Sequence, residues 1–123
     1  MSALPELPEA DLRVTVSGLP HAGERIFRLV VRGGSVSPES TVPDPDAALA
    51  AVERFGEEIF FTVPRRDMIC TQQYGGPQVA TVTGVLYGRG VHSRFSLTDG
   101  CEIARWRALE PLLGGAASGH GLV

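Results

Sequence analysis

Apolar and polar residues alternate from Leu12 to Val16 (Leu12-Arg13-Val14-Thr15-Val16), the period of a strand with one face covered. Gly18 to Gly23 reads as a turn, and Arg25 to Val31 as a second strand that closes a hairpin with the first. Gly33 to Pro45 is rich in Gly, Ser and Pro and reads as a loop. The period then changes. Leu49, Val52 and Phe55 fall on one face of a short helix, which Asp44 or Asp46 can cap and Gly56 can stop. Glu57 to Val63 fits either a strand or an apolar segment packed under a loop. A second hairpin runs through Gln78–Tyr87 and Val91–Thr98, joined by Gly88-Arg89-Gly90. Within it Val79, Thr81, Thr83 and Val85 alternate with Ala80, Val82, Gly84 and Leu86, so both faces are fairly apolar. One face is expected to meet a helix and the other a second subunit. Cys101 to Leu113 begins helically after Asp99, with Ile103, Trp106 and Leu109 on one side and Pro111 limiting its length. This order predicts an α+β fold: an antiparallel sheet of about five strands with two short helices on one face. Residues 1–11 read as a flexible arm, 12–113 as the domain and 114–123 as a flexible tail.

A chain of 123 residues, 43% hydrophobic and 20% charged, is sized for one globular domain. Its net charge is −3 and all its Lys+Arg are Arg, with no basic excess to pair with nucleic acid. No stretch approaches the ~20 apolar residues of a membrane-spanning helix. Met1 to Ala10 lacks the basic and apolar regions of a signal peptide, which leaves a cytoplasmic location open. His21, His92 and His120 are scattered, and neither cysteine has a second Cys or a His within four positions, so no metal or cofactor is expected. His92 and Asp99 with Ser93 or Ser96 could be drawn as a triad, but Ser93 adjoins His92 on one strand and faces the opposite way. There is no G-x-S-x-G elbow and no phosphate loop, and the chain is not expected to be an enzyme. Two cysteines, Cys70 and Cys101, fit one disulfide or a reduced pair, and their count decides neither. Cys70 sits in Pro64–Pro77, a long proline-bounded connection of the kind that is usually functional when ordered.

Residues 67–102 read DMICTQQYGGPQVATVTGVLYGRGVHSRFSLTDGCE. A Cys precedes a Tyr by a few residues, then come a Pro, a strand ending in a T-V-x-G step, a Gly-containing hairpin, a returning strand and C-E. Cys70, Tyr74, Pro77, Thr81-Val82-Thr83-Gly84, Gly88, Val91, Phe95 and Cys101-Glu102 fill that pattern. The pattern resembles the reactive-site half of the Streptomyces subtilisin inhibitor family of serine protease inhibitors. A weaker likeness runs upstream through Leu12–Val16, Leu29 and Leu49-Ala50-Ala51-Val52. Departures are visible too. The family's other disulfide is missing, with Val31 and Asp46 where its cysteines would stand. Extra residues lie around Glu57 to Val63, and Leu86 stands where the best-known members have Trp.

The resemblance implies a secreted protein with a Cys70–Cys101 disulfide. It also implies a homodimer formed through the open sheet face, with Leu86 in the contact. The scissile bond would be Gln72–Gln73, with Gln72 at P1, and Ile69, Cys70, Thr71 and Tyr74 would touch the protease. The expected partner is a subtilisin-like serine protease, which has a broad S1 site for Gln72 and an apolar S4 site for Ile69. Trypsin requires a cation at P1, and Gln72 is neutral. A disulfide here would tie the loop to the end of a strand and hold it extended before and after attack, which separates an inhibitor from a substrate. The alternative is a non-inhibitory interaction or structural protein of the same fold with a drifted loop, in which Tyr74 packs under the loop and the disulfide is only a staple.

Overall fold

The structure is a computed structural model and describes residues 8–19, 23–62 and 69–114. The centre of the 18–23 turn, the segment 63–68 before Ile69 and most of the expected arm and tail lie outside the described residues.

Five strands form one antiparallel sheet: β1 (Ala10–Leu19), β2 (Gly23–Arg32), β3 (Ser35–Val36), β4 (Val79–Leu86) and β5 (Arg89–Ser96), in the order β3-β2-β1-β4-β5. Both expected hairpins are present, and β1 bridges them by pairing with β2 on one side and β4 on the other. β1 starts at Ala10, and Glu9 already donates its N–H to the Val31 carbonyl. β3 is only two residues long and paired with the end of β2, too short to leave a period in the sequence.

Strand alternation divides the sheet into a covered and an open face. Leu12, Val14, Val16, Leu29, Val31, Ala80, Val82, Leu86, Val91 and Phe95 are buried on the covered face. The helices lie over that face: α1 (Pro45–Ala51), a π-helical turn (Val52–Gly56), α2 (Glu57–Phe61), α3 (Gly100–Ala108) and α4 (Glu110–Leu113). Val52, Ile103, Trp106, Leu109, Leu112 and Leu113 complete the core from the helical side. The Trp106 indole N–H donates to the Gly114 carbonyl at 3.3 Å, so its one polar atom is satisfied.

Three expectations are corrected. Asp44 caps α1 by accepting from the Ala47 N–H, but Gly56 does not stop the helix. It has right-handed helical angles (φ −62°, ψ −45°), and the chain continues helically to Phe61, so 57–61 is not a strand but a helical segment whose Ile59, Phe60 and Phe61 pack against the core. A Cβ on Gly56 would lie 3.2 Å from Val52 Cγ1 and 3.5 Å from Leu86 Cδ2. The missing side chain serves close packing of helix on sheet rather than termination. Leu86 is therefore fully buried on the covered face and cannot form a dimer contact. The β4 residues on the open face are Val79, Thr81, Thr83 and Val85. Pro111 limits α3 as expected: that helix ends at Ala108, and Pro111 stands in the first turn of the short α4, where a missing N–H costs nothing.

Candidate functional site

From Ile69 to Gln78 the chain has no regular secondary structure and no charged side chain. Ile69 is 95% exposed and Tyr74 66% exposed, with Thr71, Gln72 and Gln73 exposed between them. Tyr74 does not pack under the loop. Among the described residues, the backbone hydrogen bonds and the disulfide on this stretch run to the few residues between β5 and the first turn of α3. The Gly75 N–H donates to the Leu97 carbonyl at 2.6 Å, and the Gly100 N–H donates to the Thr71 carbonyl at 3.0 Å. Cys70 is disulfide-bonded to Cys101, with Cα atoms 5.2 Å apart. Among the described residues, no backbone hydrogen bond engages Gln72, Gln73 or Tyr74. The segment is pinned on both sides and free in the middle.

Local chemistry explains why the loop lands there. A helix leaves its first N–H groups without partners. In α3 the Asp99 carboxylate accepts from the Glu102 N–H at 2.9 Å, and its carbonyl accepts from Ile103. The Gly100 N–H takes the Thr71 carbonyl instead. A Cβ on Gly100 would run into the Thr71 hydroxyl. One on Gly75 would sit 3.2 Å from Leu97 Cβ and 3.3 Å from Ile103 Cδ1. Two glycines thus let the loop backbone approach the core and the helix start closely. Cys101 lies within the first turn of α3, so the disulfide ties the loop to a helix start rather than to a strand end. Leu97, Gly75 and Gly100 are the positioning residues that sequence reasoning missed. The Gly75-Gly76 pair and the Asp99 cap were their only traces.

Other groupings do not form sites. The sulfurs of Cys70 and Cys101 lie within 4.8 Å of an Asp99 oxygen, but both sulfurs are spent in the disulfide and offer no thiolate to a metal. His92 pairs with Thr83 on the open face while Ser93 pairs with Val82 on the covered face, so the strand holds them apart. Arg105 bonds Glu102 at 3.1 Å and the Arg94 carbonyl at 3.2 Å, bracing α3 against β5 below the loop.

No family model and no curated protein matches this chain. Among solved structures it matches sermetstatin of Streptomyces caespitosus in a crystal structure of its complex with subtilisin of Bacillus licheniformis, at 26% identity and a TM-score of 0.52. The alignment covers 83% of this chain and 94% of that one. In fold and in sequence alike, the chain is similar to the Streptomyces subtilisin inhibitors.

Proposed function

We propose that this chain is a substrate-like inhibitor of subtilisin-type serine proteases and that Gln72–Gln73 is its reactive bond. The observation that carries the reading is the pinning of both sides of that bond to one short piece of scaffold. Thr71 is held by Gly100, Cys70 by Cys101 and Gly75 by Leu97. A protease reads an extended segment through main-chain hydrogen bonds and side-chain pockets. The unpaired backbone from Gln72 to Tyr74 supplies the first, and the exposed Ile69, Thr71, Gln72 and Tyr74 supply the second. Ile69 enters an apolar S4 pocket, and Gln72 enters S1.

Attack by the enzyme's serine on the Gln72 carbonyl makes an acyl-enzyme and a Gln73 amine. In a flexible substrate that amine diffuses away. Here it is two residues from the Gly75 anchor, while the acyl side is held through Thr71 and Cys70. The amine stays near the ester, and re-forming the bond competes with hydrolysis. Pre-ordering the loop also lowers the entropy lost on binding. Titration of subtilisin with the protein tests the reading: stoichiometric loss of activity with slow cleavage after Gln72 is expected. No inhibition and no cut at this bond would favour the drifted-loop alternative.

A further inference from the structure

Cleavage at Gln72–Gln73 turns Gln73 into an N-terminus. An N-terminal glutamine carries a nucleophile, its α-amine, and an electrophile, its γ-carboxamide, at the spacing that closes a five-membered lactam. We propose that Gln73 is a modification site in the nicked protein, where it cyclises to pyroglutamate and so ends the ability of the bond to re-form. This inference rests on the reactive bond proposed above. The step balances without a co-reactant: the α-nitrogen attacks the side-chain carbonyl carbon, the new N–C bond forms, the C–NH2 bond breaks, and ammonia leaves with the displaced proton.

Three observations support it. First, Gln73 is exposed and its backbone is unbonded among the described residues, so the end created by the cut is free to turn on itself. The nearest anchor is two residues on, at Gly75. Second, the nicked molecule does not fall apart. Cys70 belongs to one fragment and Cys101 to the other, and β1 of the first pairs with β4 of the second. A slow intramolecular step therefore has time to occur. Third, Gln73 occupies the amine side of the bond, where the chemistry has an effect. The lactam nitrogen is an amide, neither basic nor nucleophilic, and cannot attack an acyl group. Cyclisation of Gln72, on the acyl side, is impossible because its nitrogen remains in the chain.

The two fates of the amine compete. Both need its neutral form, which an α-amino group reaches near pH ~8. While the acyl-enzyme lasts, the amine faces an activated ester at close range and re-formation is favoured. After that ester is hydrolysed or the enzyme departs, the amine meets only its own side chain. The inhibitor would then have a built-in lifetime, each round of hydrolysis exposing it to a step that cannot be reversed.

The test uses the intact disulfide-bonded protein, nicked by a trace of subtilisin, freed of enzyme and held at pH ~8, near the α-amino pKa. At intervals the fragments are reduced and weighed, and fresh subtilisin is added to measure how much of the nicked form reseals. The fragment that begins at Gln73 should become lighter by one ammonia, and the resealable fraction should fall in step. Gln73→Met has a side chain of similar reach with no carboxamide; its fragment should keep its mass and its resealable fraction should keep its starting value. An unchanged wild-type mass, or a mass loss that leaves resealing intact, would overturn the inference and leave the reactive bond standing. A cut anywhere else would overturn both.

Discussion

Gln72 is a neutral, exposed side chain on a stretch without charges, so in the proposed reading a change there alters the preference among proteases and leaves the fold intact. Replacing it by Leu or Phe should tighten subtilisin binding about tenfold or more, since one well-filled apolar pocket is worth at least ~1.4 kcal/mol. Gln72→Arg should create inhibition of trypsin, whose S1 carboxylate requires a cation. Gln72→Pro removes the N–H a protease would accept at P1 and should abolish inhibition while the thermal unfolding curve stays unchanged. A Pro variant as potent as the parent would place the reactive bond elsewhere. A second residue-scale prediction concerns the open face. Asp11 accepts two hydrogen bonds from Arg28, at 3.0 and 2.9 Å, and this pairing holds its carboxyl below the usual carboxylate value. A lowered folded pKa means stability that is present above the unfolded value near pH ~4 and lost as the pH falls through the folded one. The urea midpoints of the parent and Asp11→Asn should differ slightly at neutral pH and converge in acid. A difference that grows in acid would reverse this assignment. The pair is partly solvated, so its contribution is small.

At the scale of elements, the Cys70–Cys101 link closes a loop of 31 residues, which in the chain-entropy model stabilises the fold by roughly 3–4 kcal/mol. Replacing both cysteines by Ser should lower stability by about that amount. It should also turn the protein from an inhibitor into a substrate, because one anchor on the acyl side is gone. Chemical denaturation measures the first effect and the rate of cleavage after Gln72 the second; inhibition that survives at full strength would show that the Gly100 and Leu97 contacts suffice. β1 was legible because its one covered face writes a period of two into Leu12–Val16, whereas β4 is fairly apolar on both faces and was marked by the Gly88-Arg89-Gly90 turn that follows it. The α1 segment was legible through its Asp44 cap and its apolar face. Gly56 misled because a glycine after a helical run usually marks a left-handed cap, whereas here it is a right-handed residue pressed against Leu86. That contact joins residues 30 positions apart and leaves no local signal. The same holds for the site. Its cysteines, glutamines and tyrosine could be read from the resemblance, but the anchors at Leu97 and Gly100 exist only once α3 starts beside the loop.

For the whole molecule, the open sheet face decides how two copies can meet. Its middle rows run Arg28-Arg13-Thr83-His92 and Ile26-Thr15-Thr81-Arg94, with Asp11-Val85-Gly90 alongside and Val30 of that row buried. Two-fold pairing sets this patch against itself, so a residue on the axis meets its own copy. Arg13 and Arg94 would repel there, whereas Thr15, Thr81, Thr83 and the 40%-exposed Val85 can pack. The dimer expected from the family resemblance is therefore predicted to centre on these hydroxyl and apolar residues, with Arg94 of β5 towards its rim and Arg13, opposite Thr83, off the axis. Repulsion between rim charges is screened by salt within a Debye length of ~8 Å at physiological ionic strength, so dimerisation should strengthen as salt rises. Thr81→Arg puts a like charge beside the axis and should give a monomer whose unfolding is otherwise close to that of the parent. Light scattering across a concentration series at low and high salt checks both statements. A parent that remains monomeric at tens of micromolar in high salt would remove the dimer and leave the open face a solvated surface. A dimer that weakens with salt would put charge pairs, not hydroxyls, at its centre.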